Sequence, residues 1–275
     1  MNTLISKNKT QEKLIREVAK IAGYLWEKGW AERNAGNISI RIDALISGKF
    51  GGSDHAEFVE LEQDYPALAS QAFFITATGK RMRDLADKPY KNSLFIQLNE
   101  AGNAYALKTF KKDQKEMLKP TSELNTHLAI HQMIAERSSN ERVVMHVHAT
   151  ELISLTQHPS NKSEEKINKI LWGMHPETII FIPGGIGFVP YELPGSQAIA
   201  SATVEKLKEH DIVIWQKHGV FAIGSNISDM FDNIDILCKS AKIWFLCRSA
   251  GFEPEGLSEL QLGELKQLVN KFNAV

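Results

Sequence analysis

Cysteine is nearly missing from this chain: Cys238 and Cys247 are the only two in 275 residues. So few cannot build the disulfide framework of a small secreted scaffold. Nine positions apart in a helical pattern, they fall on opposite faces of one helix at about 100° per residue, and free core thiols are expected. An excess of either charge is missing too. Lys and Arg number 32 against 33 Asp and Glu, a formal net charge of −1, and no long basic run is present to track a phosphate backbone. Nucleic acid is therefore not an expected partner. The opening MNTLISKNKTQEK lacks an apolar core of signal-peptide length, and no window nears the roughly 18 apolar residues that cross a bilayer. A cytoplasmic protein without a membrane partner is expected. Internal repeats, low-complexity tracts and linkers are also absent, so residues 1–275 are expected to form a single domain. The 43% hydrophobic content supplies a sizeable core for it.

What is present is a succession of periodic segments. Residues 11–30 place Leu14, Ile15, Val18, Ile21, Ala22 and Leu25 at helical spacing, with a stop near Gly29. Ile38 and Ile40 then alternate after an Asn/Gly cluster, as in a turn feeding a strand. Residues 44–70 are Gly-rich and acidic and read as an excursion. FFITATGK (73–80) reads as a strand entering a Thr/Gly loop, and residues 94–110 as a hairpin turning at Asn99 to Asn103. Helical spacing returns from Ser122 to Glu136, with Pro120-Thr121-Ser122 as the start signal and Glu123 in the first turn. Beyond VVMHVHA, helices are expected over 150–157, 164–172, 196–210, 228–250 and 258–272, and strands at TIIFIP, DIVIWQ and GVFAIG. Helices and strands so interleaved predict a layered α/β fold with a mixed sheet.

The run VVMHVHA (143–149) carries two imidazoles in an apolar strand. Residues i and i+2 of an extended chain share a face with Cα atoms roughly 6.5–7 Å apart, so His146 and His148 can aim ring nitrogens at one point. A third ring, His218, sits at a His-Gly turn between two apolar runs, where strand ends display side chains toward a cleft. Three imidazoles with an open position make a Lewis-acid or hydrolytic metal site, with Zn²⁺ the default ion. Other histidines compete. His127 and His131 stand at i, i+4, but no Glu follows the first as in a zinc HExxH helix. HVHATE approaches the cupin set of two histidines and a glutamate, yet the gap to Glu151 is short and the following chain reads as helix.

Glu123 lies at the start of a helix, whose free N–H groups and positive dipole end favour anions; Thr121 and Ser122 there can hold an anion while Glu123 points at a metal or substrate. NAGN (34–37) and TATGK (76–80) are polar Gly loops able to present N–H and amide donors to a phosphate. Taken singly, each of these also reads as an ordinary cap or turn. Glu177 precedes TIIFIP, and FIPGGIGFVPYELPG is a Gly/Pro-rich stretch that suits a site, an interface or a plain turn equally.

The order RNAGNIS, TATGK, PTSEL, MHVHAT, LWGMHPE and WQKHGVFA resembles the class II aldolase/adducin family of metal-dependent sugar-phosphate aldolases and epimerases, over about residues 11–250. The resemblance implies a three-layer α/β/α fold with a mixed, largely antiparallel central sheet, assembled as a homotetramer. It implies one Zn²⁺ per subunit held by His146, His148 and His218, with Glu123 beside it as ligand or acid/base. It further implies phosphate binding by Asn34, Asn37, Thr78, Thr121 and Ser122, with the backbone at Gly36 and Gly79, and places Glu177 in a neighbouring subunit's site. Thr78 stands where the family pattern has Ser, which keeps the hydroxyl, and LWGMHP departs from the family wording before Glu177. Three function classes follow as expectations: a retro-aldol lyase, a pentulose-phosphate 4-epimerase of the same chemistry, or a non-catalytic adducin-like interaction domain. A cupin is the outside reading.

Overall fold

The computed structural model describes residues 2–42, 57–108 and 118–273. Its helices in chain order are α1 (Asn2–Glu27), α2 (Met82–Asp87), α3 (Pro89–Asn92), α4 (Leu124–Glu136), α5 (Thr150–Leu155), α6 (Glu164–Met174), α7 (Pro176–Phe181), α8 (Gln197–Leu207), α9 (Ile227–Ser249) and α10 (Glu259–Asn273). The strands are β1 (Asn37–Ile42), β2 (Phe58–Glu60), β3 (Ala72–Thr76), β4 (Ser93–Leu98), β5 (Ala104–Lys108), β6 (Val143–Val147), β7 (Gly187–Val189), β8 (Ile212–Trp215) and β9 (Gly219–Gly224).

The strands form one sheet in the order β2-β5-β4-β3-β1-β6-β9-β8-β7. Every neighbouring pair is antiparallel except β7 with β8. Side chains alternate between two covered faces, which is why the central strands read as almost continuous apolar runs. Val143, Met145 and Val147 of β6 join Ile38 and Ile40 of β1 against α1, α5, α6 and α9. Val144 turns to the opposite face, with Trp215 and Phe221, beneath α4 and α8. The layers are thus helix, sheet, helix, as the resemblance implies.

Helix α1 buries the expected stripe of Ile15, Val18, Ile21, Ala22 and Leu25. It starts earlier than its periodicity indicates and stops at Glu27, where Gly29 turns the chain at φ 74°. The expected strand TIIFIP is instead helix α7. Pro176 occupies its first turn, where a missing N–H costs nothing. Thr178, Ile179 and Ile182 are buried while Phe181 is 60% exposed, a one-sided pattern of helical rather than strand period. The Gly/Pro-rich stretch that follows supplies the short strand β7, and α2 and α3 were not legible in the sequence. Cys238 is buried, but Cys247 is only half-buried and is not a core thiol. Of the 44–70 excursion, β2 and a single 3₁₀ turn at Pro66–Leu68 are defined, and residues 43–56 lie outside the described residues.

One end of the sheet gathers the chemistry. The antiparallel ladders put Asn37, the first residue of β1, opposite His146 near the end of β6, and His146 opposite Phe221 near the start of β9. Thr76, the last residue of β3, holds the Ile38 N–H through Oγ1 at 3.1 Å.

Candidate active site

One strand, its end and a hairpin turn carry the histidines to one point. His146 leaves β6 on the α4 side of the sheet, stacked on Phe221 with ring centroids 4.4 Å apart. His148 lies just past the strand, anchored by its N–H on the Trp30 carbonyl at 2.8 Å. The β8–β9 hairpin turns at Lys217, whose φ of 62° is left-handed, and delivers His218. Gly219 then faces the histidine pair at a distance no side chain tolerates: a Cβ would meet Val147 O at 2.5 Å and His146 Cε1 at 2.9 Å. The ring centroids form a nearly equilateral triangle of 5.1, 5.1 and 5.0 Å. One ligand nitrogen from each ring lies within 4.8 Å of the others.

Hydrogen bonds set which nitrogens face inward. His146 Nδ1 donates to the Val220 carbonyl at 3.0 Å, and His148 Nδ1 donates to Glu32 Oε1 at 2.8 Å. Both rings then carry their lone pair on Nε2, the arrangement in which an outer partner orients a metal-binding imidazole. His146 Nε2 is buried without a hydrogen-bond partner, as is His218 Nδ1. An orphaned buried lone pair costs stability unless something is bound there. Burial drives His146 well below the ordinary imidazole range, the neighbouring His148 and His218 add to this, and its bond to Val220 opposes it. Burial and His148 likewise lower His218, against Glu123 and Glu32. Three imidazoles with an adjacent carboxylate are a donor set that suits a divalent cation, and the residues fit one.

That carboxylate is Glu123. It sits immediately before α4 rather than within its first turn, and no side chain caps the helix; Thr121 Oγ1 instead accepts from the Glu123 N–H at 3.3 Å. Glu123 Oε2 lies 3.8 Å from His146 Nε2 and accepts from Asn37 Nδ2 at 2.8 Å. Burial raises its pKa, opposed by the Asn37 bond and by His218 and His148.

The anion-binding loops expected from sequence meet at the same cavity. A bridge pairs Ala77 with Pro120, and the N–H groups of Thr78 and Thr121 donate to Lys119 O and Thr76 O at 2.9 and 3.0 Å. This stitching sets Thr78 and Gly79 beside Thr121 and Ser122. Asn34, Gly36 and Asn37 line the cavity as well, together with Glu123 and the three histidines. Gly36 and Gly79 both hold left-handed φ, 78° and 70°, which glycine adopts at no steric cost.

Four sequence candidates lie elsewhere. His127 and His131 are fully buried and share Ser39 Oγ as a hydrogen-bond partner. Glu151 accepts from Trp30 Nε1 at 3.1 Å and does not line the cavity, so no cupin-type set forms. Glu177 is exposed on α7, 2.6 Å from His175 Nδ1, and is not among the cavity residues of its own chain. Sequence reasoning missed Glu32, whose contact with His148 spans 116 positions, and the cations Lys80 and Arg81 at the cavity wall. The cations directly follow TATG, so their position was available in the sequence.

A sequence model describing the class II aldolase and adducin N-terminal domain matches residues 16–245. The chain belongs to the class II aldolase/adducin family. It is 36% identical over 271 residues to a rhamnulose-1-phosphate aldolase of Bacteroides thetaiotaomicron, covering 98% of this chain and 99% of that one. A rhamnulose-1-phosphate aldolase of Yersinia pseudotuberculosis is 35% identical over 251 residues, 90% of each. Among solved structures, a sugar-phosphate aldolase from Thermotoga maritima aligns at a TM-score of 0.74 and 33% identity, over 90% of this chain and 100% of that one. An L-fuculose 1-phosphate aldolase aligns at 0.61 and 17% identity, over 95% and 96%, and shares the fold. As a class II aldolase this chain is a lyase, and its sheet of mixed strands between helices is the fold of that family.

Proposed function

We propose that this class II aldolase reversibly cleaves L-rhamnulose 1-phosphate to dihydroxyacetone phosphate and L-lactaldehyde. The observation that carries the reading is the meeting of the three-histidine triangle, Glu123 and the phosphate-suited loops in one cavity, and the near full-length likeness to rhamnulose-1-phosphate aldolases favours that sugar.

His146, His148 and His218 would hold one divalent cation, Zn²⁺ by the preference of imidazole. Bound there, it supplies Lewis-acid stabilisation of the negative charge that develops beside the substrate carbonyl. Asn34, Asn37, Thr78, Thr121 and Ser122, with the backbone at Gly36 and Gly79, grip the phosphate through uncharged donors and so turn binding into orientation. When the C3–C4 bond breaks, the C4 hydroxyl loses a proton and C3 gains one, and two separately placed carboxylates divide the transfers. Glu123 serves C3. Glu177 of the partner subunit serves the C4 hydroxyl, which accords with its exposure and its distance from its own cavity. The working form is thus a homotetramer of single-domain subunits, with sites between copies, acting in the cytoplasm.

Metal analysis coupled to a cleavage assay on L-rhamnulose 1-phosphate tests the reading, repeated on His148→Ala. Free dihydroxyacetone phosphate from the wild-type protein, lost in the variant, is expected. Conversion of a pentulose phosphate to its epimer instead would mark a 4-epimerase, and a metal-free, inactive protein would mark an interaction domain.

A further inference from the structure

A buried hydrogen-bonded chain runs from the cavity into the layer beneath α4, and the proposed reaction makes no use of its inner members, His127, Ser39 and His131. Asn37 Nδ2 donates to Glu123 Oε2, and Asn37 Oδ1 meets His127 Nε2. His127 Nδ1 lies 2.6 Å from Ser39 Oγ, which lies 2.8 Å from His131 Nε2. Both rings are 0% exposed, Ser39 is 1% and Asn37 7%. Two imidazoles buried in a helix interface cost desolvation that leucines would not, before hydrogen bonding offsets it. Packing alone gives no reason for them.

The direction of every bond in this chain follows from its ends. An ionised carboxylate only accepts, so the Asn37 NH₂ faces Glu123 and its carbonyl faces His127. A carbonyl also only accepts, so His127 carries its proton on Nε2. Nδ1 of His127 is then an acceptor and takes the Ser39 hydroxyl proton, while Ser39 Oγ accepts from His131 Nε2–H. All donors point toward Glu123. The far end is His131 Nδ1, buried without a partner; reversing the chain would put a hydrogen there with nothing to accept it. It would also turn the Asn37 carbonyl onto the Glu123 carboxylate.

We infer that His127 is a positioning residue that locks the Asn37 amide, so that one N–H holds Glu123 while the other stays available to the sugar phosphate in the cavity Asn37 lines. His127 thereby keeps the proton-transfer group and the phosphate subsite in register. This deepens the proposed function and rests on the roles given there to Glu123 and Asn37.

Two measurements on the metal-loaded protein test it. Ring ¹⁵N NMR should show His127 as the Nε2–H tautomer throughout about pH 6 to 8; an Nδ1–H ring overturns the lock. In kinetics, His127→Leu should lower kcat about tenfold and raise KM in the wild-type background, but change either less than about twofold in an Asn37→Ala background. His127→Gln, which retains an N–H donor, should recover most of the loss. Equal losses in both backgrounds would mean His127 acts otherwise than through Asn37. Should the variants fail to fold, the wild-type tautomer still decides. A wild-type protein inactive on the sugar sinks the proposed function while leaving that tautomer readable.

Discussion

Gly219 packs so closely under Val147 that the Cβ it lacks would lie 2.5 Å from the Val147 carbonyl oxygen and 2.9 Å from His146 Cε1. The metal triangle therefore depends on a residue with no side chain. Gly219→Ala must push β9 away from β6 or displace His146, and overpacking of this kind costs about 1–3 kcal/mol. The expected result is a lower urea midpoint together with lost metal, read by denaturation and metal analysis on one preparation. Full metal content at unchanged stability would refute the packing argument.

Removing a ligand should separate metal binding from folding. His148 is partly exposed on the cavity rim, so His148→Ala is expected to keep its circular dichroism spectrum while metal affinity falls on the order of a hundredfold or more. Competition with a chromophoric chelator measures it. Exhaustive chelation of the wild-type enzyme should abolish cleavage, and a divalent cation should restore it.

Glu32 orients His148 from outside, through a 2.8 Å bond at a well-exposed carboxylate. Loss of such outer partners typically weakens metal binding 10- to 100-fold, and exposure places Glu32→Ala near about tenfold. Glu32→Gln retains an acceptor for Nδ1–H and should lose less. The same chelator competition ranks the three proteins.

Glu123 is expected to matter for turnover more than for binding. Glu123→Gln keeps the shape but cannot transfer a proton, so kcat should fall roughly 10²- to 10⁴-fold while bound metal persists. Stopped cleavage assays beside metal analysis check both halves.

Acid should unfold this protein through its interred rings. Burial first, and the neighbouring His146 second, lower the His127 pKa from 6.5 to about 3; burial also sets His131 well below its ordinary value. The unfolded chain binds protons near pH 6.5 that the folded one refuses, so stability is complete above that value and declines as pH falls toward the folded pKa. Between pH 7 and 5 a ring like His127 contributes a loss of about 2 kcal/mol. Urea midpoints across that range should show it, and His131→Phe, whose neutral ring would pack against Phe73 as His131 does at 4.9 Å, should flatten the slope. A midpoint independent of pH would contradict the buried-neutral assignment.

Much of the site was readable because its chemistry is local. His146 and His148 share a strand end, and Asn34 to Asn37, Thr78-Gly79 and Thr121-Ser122 are each short loops whose residue types suit anions. The misreadings were also local. TIIFIP has strand composition, yet Pro176 and the α9 surface make a helix of it, since Thr178 Oγ1 pairs with Ser240 Oγ at 2.6 Å. Glu123 resembled a first-turn acid because dipole-favoured acids look the same in sequence.

Taken alone, the sequence determined the periods of most elements, the identity of the three rings and the polar loops around them, because side-chain spacing and turn chemistry act over a few residues. Tertiary structure decided which nitrogen of His146 and of His148 faces inward, the pairing of Glu32 with His148, and the one-way chain from His131 to Glu123. Those depend on contacts across roughly 70 to 120 positions of chain, and their partners become neighbours only when the antiparallel ladders close.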